Sequence, residues 1–208
     1  MYLFFDTETT GLPLDWKRDD FEDVDNWPRI VQFAWLVIDS NGNVISGHNF
    51  IITPEVEIPE EAAKIHGINT RHAEIWGCSL LPILRLFHKD ALRCRHLVAH
   101  NIKFDINVVL AEFARFRTIL NEQKLEVAAQ SRICTMEAST YYCQLPHKSK
   151  RPKSSDPYKW PNLQELHNKL FGESFEGAHD AFSDIQATAK CFFEMTKQEI
   201  IDFQPPKQ

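Results

Sequence analysis

The run Ile30 to Ile38, IVQFAWLVI, narrows the choice of fold most sharply. It reads as a strand. Asp39-Ser40-Asn41-Gly42-Asn43 follows as a turn signal, and Val44 to Ile52 returns as a second strand, so the two predict an antiparallel hairpin. Tyr2 to Phe5, a short apolar run without helical spacing, reads as a buried strand ahead of it. After the hairpin the pattern changes. Pro59 to Ala63 opens a short helix that Gly67 stops. Leu80, Ile83, Leu84 and Phe87 mark an amphipathic helix. His96 to His100, HLVAH, is another buried strand, and Ile106, Val109, Leu110 and Phe113 begin a long helix. Arg132 to Met136 reads as a fifth, short strand. Leu163, Leu166 and Leu170 form one helix face, ended by Gly172. A last helix runs from about Asp180 to Glu199, with Ile185, Ala189 and Phe192 inward. An early hairpin followed by alternating strands and helices predicts an α/β fold, a mixed sheet covered by helices.

The totals fit that reading. The chain has 208 residues, 43% of them hydrophobic and 12% aromatic, which is ample for the core of one α/β domain over residues 1–200 with a short tail at 201–208. A net charge of −6 argues against a protein that simply coats nucleic acid, while leaving room for a local basic groove. Cys78, Cys94, Cys134, Cys143 and Cys191 are odd in number, irregularly spaced and without a CxxC pair. They read as reduced thiols in a cytoplasmic setting, with neither a disulfide frame nor a cysteine zinc site. No apolar run approaches the roughly 20 residues of a membrane span. No basic stretch precedes an apolar one at the N-terminus, so no signal peptide is expected. Two segments read as long loops, at about 13–29 and 146–161. The first holds the acidic stretch LDWKRDDFEDVDNWP and is expected to dock a partner or fold over the sheet edge. The second carries Lys148, Lys150, Arg151, Lys153 and Lys159 with Tyr158 and Trp160, a mixture suited to phosphates and stacked bases, though equally to a solvated loop.

The chemistry-bearing residues sit at junctions between elements. Asp6 and Glu8 leave the first strand one residue apart, so strand alternation points both carboxylates to the same side. Bare carboxylates suit a hard cation such as Mg²⁺ or Mn²⁺. Asp105 follows HLVAH, where open α/β sheets place ligands. His179 and Asp184 flank the start of the last helix. Taken singly, these are a strand terminator, a loop acid, a helix cap, a surface histidine and a first-turn acid. Taken together, four carboxylates supply the charge to hold two divalent ions about 3.5–4 Å apart, and a nearby histidine can accept a proton from an attacking water.

DTETTG, then HNIKFD, then HDAFSD resembles the three motifs of the DnaQ-like (DEDDh) 3′→5′ exonucleases. The fourth acid follows a histidine at HxxxxD spacing, which fits the histidine subclass. Position 180 is Asp, so the tyrosine subclass does not fit. IHGI, Ile65 to Ile68, is similar to a segment of the same family, and the likeness extends from Met1 to about Thr196. It implies a ribonuclease H-like fold with a five-stranded mixed sheet flanked by helices. It implies two ions, Mg²⁺ or Mn²⁺, on Asp6, Glu8, Asp105 and Asp184, with His179 as general base and Glu8 in the catalytic set. Nucleoside 5′-monophosphates would be removed from the 3′ end of DNA or RNA. Thr9, Gly11 and Leu12 would line the pocket for the terminal nucleotide, Asn101 and Phe104 would hold or stack the substrate, and His66 would face the terminal sugar or base or else simply end its helix. Single-stranded or 3′-overhang nucleic acid is the expected partner, with a DNA polymerase as a further one. The rival reading is a catalytically silent nucleic-acid-binding or polymerase-associated module of the same fold. Such a module would be expected to lose an acid or the histidine, and all five are present.

Overall fold

The computed structural model describes residues 1–147 and 156–201. Lys148, Lys150, Arg151 and Lys153 of the basic loop, and the tail from residue 202, lie outside the described residues. Strands β1 (Tyr2–Thr9), β2 (Ile30–Ile38), β3 (Val44–Ile51), β4 (His96–Ala99) and β5 (Ser131–Cys134) form one sheet in the order β3-β2-β1-β4-β5. The first three pair antiparallel, while β4 joins β1 and β5 joins β4 in parallel, so the sheet is mixed. The hairpin turn forms around Asp39, whose carboxylate accepts the N–H groups of Asn41 and Asn43. Helices α1 (Glu60–His66), α2 (Thr70–Trp76), α3 (Leu80–Arg93), α4 (Ile102–Arg115), α5 (Arg117–Ala128), α6 (Thr135–Cys143), α7 (Leu163–Phe171) and α8 (Ala181–Lys197) surround it.

Strand alternation divides the core between the two faces of the sheet. Leu3 and Phe5 of β1, with Phe33 and Trp35 of β2, are buried with Leu84, Phe87, Ile106 and Phe113 of α3 and α4. Tyr2 and Phe4 turn the other way, onto Ile185, Ala189 and Phe192 of α8. The Trp35 indole N–H keeps a partner in this dry interior, the Asp90 carboxylate at 3.0 Å.

Some boundaries differ from the sequence expectation. β1 continues past Phe5 to Thr9, because β2 opposes it residue for residue as far as Glu8 against Gln32. The fifth strand is Ser131–Cys134, and the chain turns at once into α6. α4 begins at Ile102, four residues before Ile106, because Asn101 takes the left-handed conformation (φ 72°) that redirects the chain. The acidic loop folds over α4 and α5 and not over a sheet edge. Asn107 of α4 donates to Asp19, Arg115 donates to the carbonyls of Val24 and Trp27, and Lys124 of α5 pairs with Glu22.

Candidate active site

β1 and β4 are parallel, so their C-terminal ends open at one edge of the sheet, where α4 and α8 also begin. Asp6 and Glu8 continue the Tyr2–Phe4 side of β1 and face the start of α8. Thr7, between them, points to the opposite layer, where its N–H (3.1 Å) and its hydroxyl (2.8 Å) both donate to Asp105. That pair of hydrogen bonds holds the carboxylate of Asp105, a residue only 3% exposed, in the first turn of α4. Asp105 is thus a first-turn residue and not the cap of its helix.

The start of α8 is built as tightly. Asp180 caps it by accepting the Ser183 N–H at 2.9 Å. His179, just outside, has φ 69°, a conformation uncommon for a residue other than glycine, and its N–H donates to the Asp184 carboxylate at 3.1 Å. The bond between them and the short separation of their ligand atoms place His179 and Asp184 at one hollow. Ligand atoms of Glu8, His179 and Asp184 all lie within 4.8 Å of one another.

Electrostatics joins the remaining acids to this group. Burial, then the charges of Asp105, Asp184, Glu8 and Asp180, push the Asp6 carboxyl well above the usual carboxylate range. Glu8 is raised to about 8 by burial and by Asp184, Asp105 and Asp180. Asp105 rises to about 7 through burial, against the Thr7 hydrogen bonds, and Asp184 to about 6 through burial, against the His179 N–H. Among the described residues, no lysine or arginine is a leading cause of any of the four shifts. A set of hard oxygen donors compressed together without a dominant basic partner fits divalent cations.

Beside the acids lies a largely apolar cavity of about 400 Å³. Thr9, Gly11, Leu12, His66 and Phe104 are among the residues that line it. Gly11 (φ 153°) bends the backbone there, and a side chain at this position would meet only open space. His66 accepts the Ile68 N–H through Nδ1 at 3.2 Å, and its buried Nε2 makes no bond of ordinary geometry among the described residues, although the Thr9 backbone lies near enough to the ring to favour its protonated form against burial. Asn101 is not among the lining residues and redirects the chain into α4. His100 supports the edge of the site, with its ring between the Thr135 hydroxyl and the Pro161 carbonyl, both at 3.0 Å, and burial pushes its pKa down to about 4.

The sequence reading passed over two neighbours. Thr7 carries no signal beyond its place between two acids. Trp16, 47% exposed, sets its ring 5.9 Å from that of Phe104, a residue lining the cavity. An aromatic within an acidic loop was its only trace.

A search among curated protein sequences gives no match. Solved structures of Escherichia coli exonuclease I do resemble this chain. The complex with a dT13 oligonucleotide has TM-score 0.69 and 23% identity, covering 94% of this chain and 40% of that one. The complex with a dA16 oligonucleotide has TM-score 0.69 and 22% identity over 97% and 42%. The apo form has TM-score 0.66 and 21% identity over 96% and 43%. The chain thus spans about two fifths of the exonuclease I chains, and at these identities the likeness establishes the fold. The exonuclease family typified by ribonuclease T matches residues 3–192, nearly the whole length. By that match, with the ribonuclease H-like sheet beneath it, the chain belongs to the DnaQ-like (DEDDh) exonuclease family.

Proposed function

We propose that residues 1–200 form one exonuclease domain that removes nucleoside 5′-monophosphates from the 3′ end of a single-stranded or 3′-overhanging nucleic acid. The observation that carries this reading is the convergence of Asp6, Glu8, Asp105, Asp184 and His179 beside a cavity able to take a nucleotide. Asp6, Glu8, Asp105 and Asp184 would hold two divalent ions, Mg²⁺ or Mn²⁺. When bound, such a pair offsets the carboxylate charge, activates water and stabilises the charge that develops on the phosphate. His179 takes the proton of the attacking water. The water oxygen bonds to phosphorus, the bond to the 3′ oxygen of the preceding nucleotide breaks, and that oxygen leaves with the shortened strand. The apolar wall from Gly11 to Leu12, with Phe104, holds the terminal base, and the buried Nε2 of His66 is available to a polar atom of the terminal nucleotide. Membership of the exonuclease family supports the 3′→5′ direction, and the oligonucleotides named in the exonuclease I complexes support a single strand as the polymer.

No helix among the described residues is long and apolar enough to cross a membrane. Five free cysteines support a reducing, cytoplasmic setting.

The test compares single-stranded DNA and RNA labelled at either end, with Mg²⁺ or Mn²⁺. Mononucleotides should appear first from the 3′ end, and Asp184→Asn should stop their release in a folded protein. Release from the 5′ end, or undiminished digestion by Asp184→Asn, would overturn the proposal.

A further inference from the structure

We propose that Gln32 is a positioning residue, a buried amide on β2 that latches the start of α8 to the sheet and so sets where His179 and Asp184 stand relative to Glu8. The inference rests on the exonuclease reading above and adds a part to that site.

Gln32 is 3% exposed, and all three of its bonds are made inside the protein. Nε2 donates to Asp180 Oδ2 at 2.8 Å and to Asn49 Oδ1 at 2.9 Å, while Oε1 accepts the Ala181 N–H at 3.2 Å. The Ala181 N–H is among the helix-start donors with no partner inside the helix, and the Asp180 carboxylate is an acceptor. One side chain reaches both only if it offers a donor and an acceptor side by side. Turning the amide over would set Oε1 against two acceptor oxygens, so the network fixes its orientation. The bond to Asp180 is charge-assisted and part-buried, and a charged acceptor makes it stronger than a bond between neutral groups.

The latch acts on the reacting groups through one peptide. Asp180 follows His179, whose left-handed backbone needs its surroundings to hold it. The holding bonds are His179 N–H to Asp184, Asp180 N–H to the Gly177 carbonyl at 3.1 Å, and the Gln32 contact. On the sheet, Gln32 lies directly across the ladder from Glu8. A single register position therefore carries a site carboxylate on one strand and, on the next, the group that sets the helix bearing the rest.

An exchange of partners tests this in the full chain. Gln32→Glu sets a carboxylate against Asp180 and should lower kcat on a 3′-labelled single strand with Mn²⁺ by roughly 10²-fold, the loss expected of a misplacement near 1 Å, with KM within about twofold. Adding Asp180→Asn reverses the pair. The new amide at position 180 donates to the carboxylate now at position 32, and its oxygen still caps Ser183. Asn49 turns its own amide to match, so kcat should recover to within about tenfold of wild type. Gln32→Met keeps the length without the polar atoms and should lose kcat similarly. Wild-type kcat in folded Gln32→Met or Gln32→Glu protein, or a double variant as slow as Gln32→Glu alone, overturns the latch. A wild-type chain that leaves the strand intact overturns the exonuclease reading itself.

Discussion

Replacing Asp6 with asparagine removes one charge from a half-buried position crowded by Asp105, Asp184, Glu8 and Asp180. Two consequences follow with opposite signs. The proposed metal set loses a ligand, so digestion should fall below detection. The metal-free protein loses a repulsion, so at pH 8 in EDTA its melting temperature should rise, by roughly 2–4 °C for each kcal/mol relieved in a chain of this length. Calorimetry of both proteins checks this, and an unchanged or lower melting temperature would show that Asp6 is neutralised in some other way. His179 gives a different signature. As the proposed general base it would contribute rate without holding the fold, so His179→Ala should lose roughly 10²–10⁴-fold in kcat. Single-turnover kinetics at saturating Mn²⁺ checks it, and a loss that added metal restores would make His179 a ligand only.

The elements that carry these residues were legible to different degrees. β2 and β4 announce themselves as apolar runs, and α3, α4 and α8 as apolar stripes, because each buries a face that sequence period alone defines, whereas β3, which has no fully buried residue, was legible mainly from the turn before it. The acids were legible for a related reason, since a carboxylate at the exit of a buried strand has no use in the core. α2 left no stripe because only Ala73 of its seven residues is buried, and it starts from the Asn69 cap that accepts the His72 N–H. Gln32 hid in plain view as the one polar side chain within the β2 run, and its partners on α8 lie some 150 residues away. The seat of the acidic loop on α4 and α5, in place of the expected sheet edge, was not legible, for the residues of α4 and α5 that hold it carry no local pattern. Within the loop, the Asn26 side chain accepts the Asp15 N–H and donates to the carbonyls of Asp15 and Arg18. Asn26→Ala strands these groups, at about 1–3 kcal/mol for each buried one left unpaired. Amide exchange of residues 14–18 should quicken, and KM for a single strand should rise severalfold as Trp16 loses its place beside Phe104. Unchanged exchange would mean that the docking onto α4 and α5 suffices.

For the whole molecule, the acid cluster sets how stability depends on pH and metal. In the unfolded chain these carboxyls titrate near 4. Folded and metal-free, Asp184 titrates at about 6, Asp105 at about 7 and Glu8 at about 8, with Asp6 also raised. Between about pH 4 and 8 the folded state therefore binds more protons than the unfolded one, and stability falls as pH rises. The part of the penalty owed to Asp184, Asp105 and Glu8 is absent below the unfolded values and complete above about 8. Asp180, held low by Gln32 and Ser183 against its own burial, works in the other direction, but only near and below pH 4. Divalent ions compete with those protons, so their stabilisation, which grows as RT ln(1 + [M]/Kd), should be larger where the carboxyls are ionised. Melting curves in EDTA should thus move to lower temperature from pH 5 to pH 8, and saturating Mn²⁺ should recover more degrees at pH 8 than at pH 5. Other titrating groups shift both curves alike, so the Asp6→Asn variant provides the contrast: its EDTA curves should move less, and Mn²⁺ should recover less. If wild type and Asp6→Asn respond alike to pH and to Mn²⁺, the clustered carboxylates do not govern stability, and the case for a metal centre at the mouth of β1 goes with them.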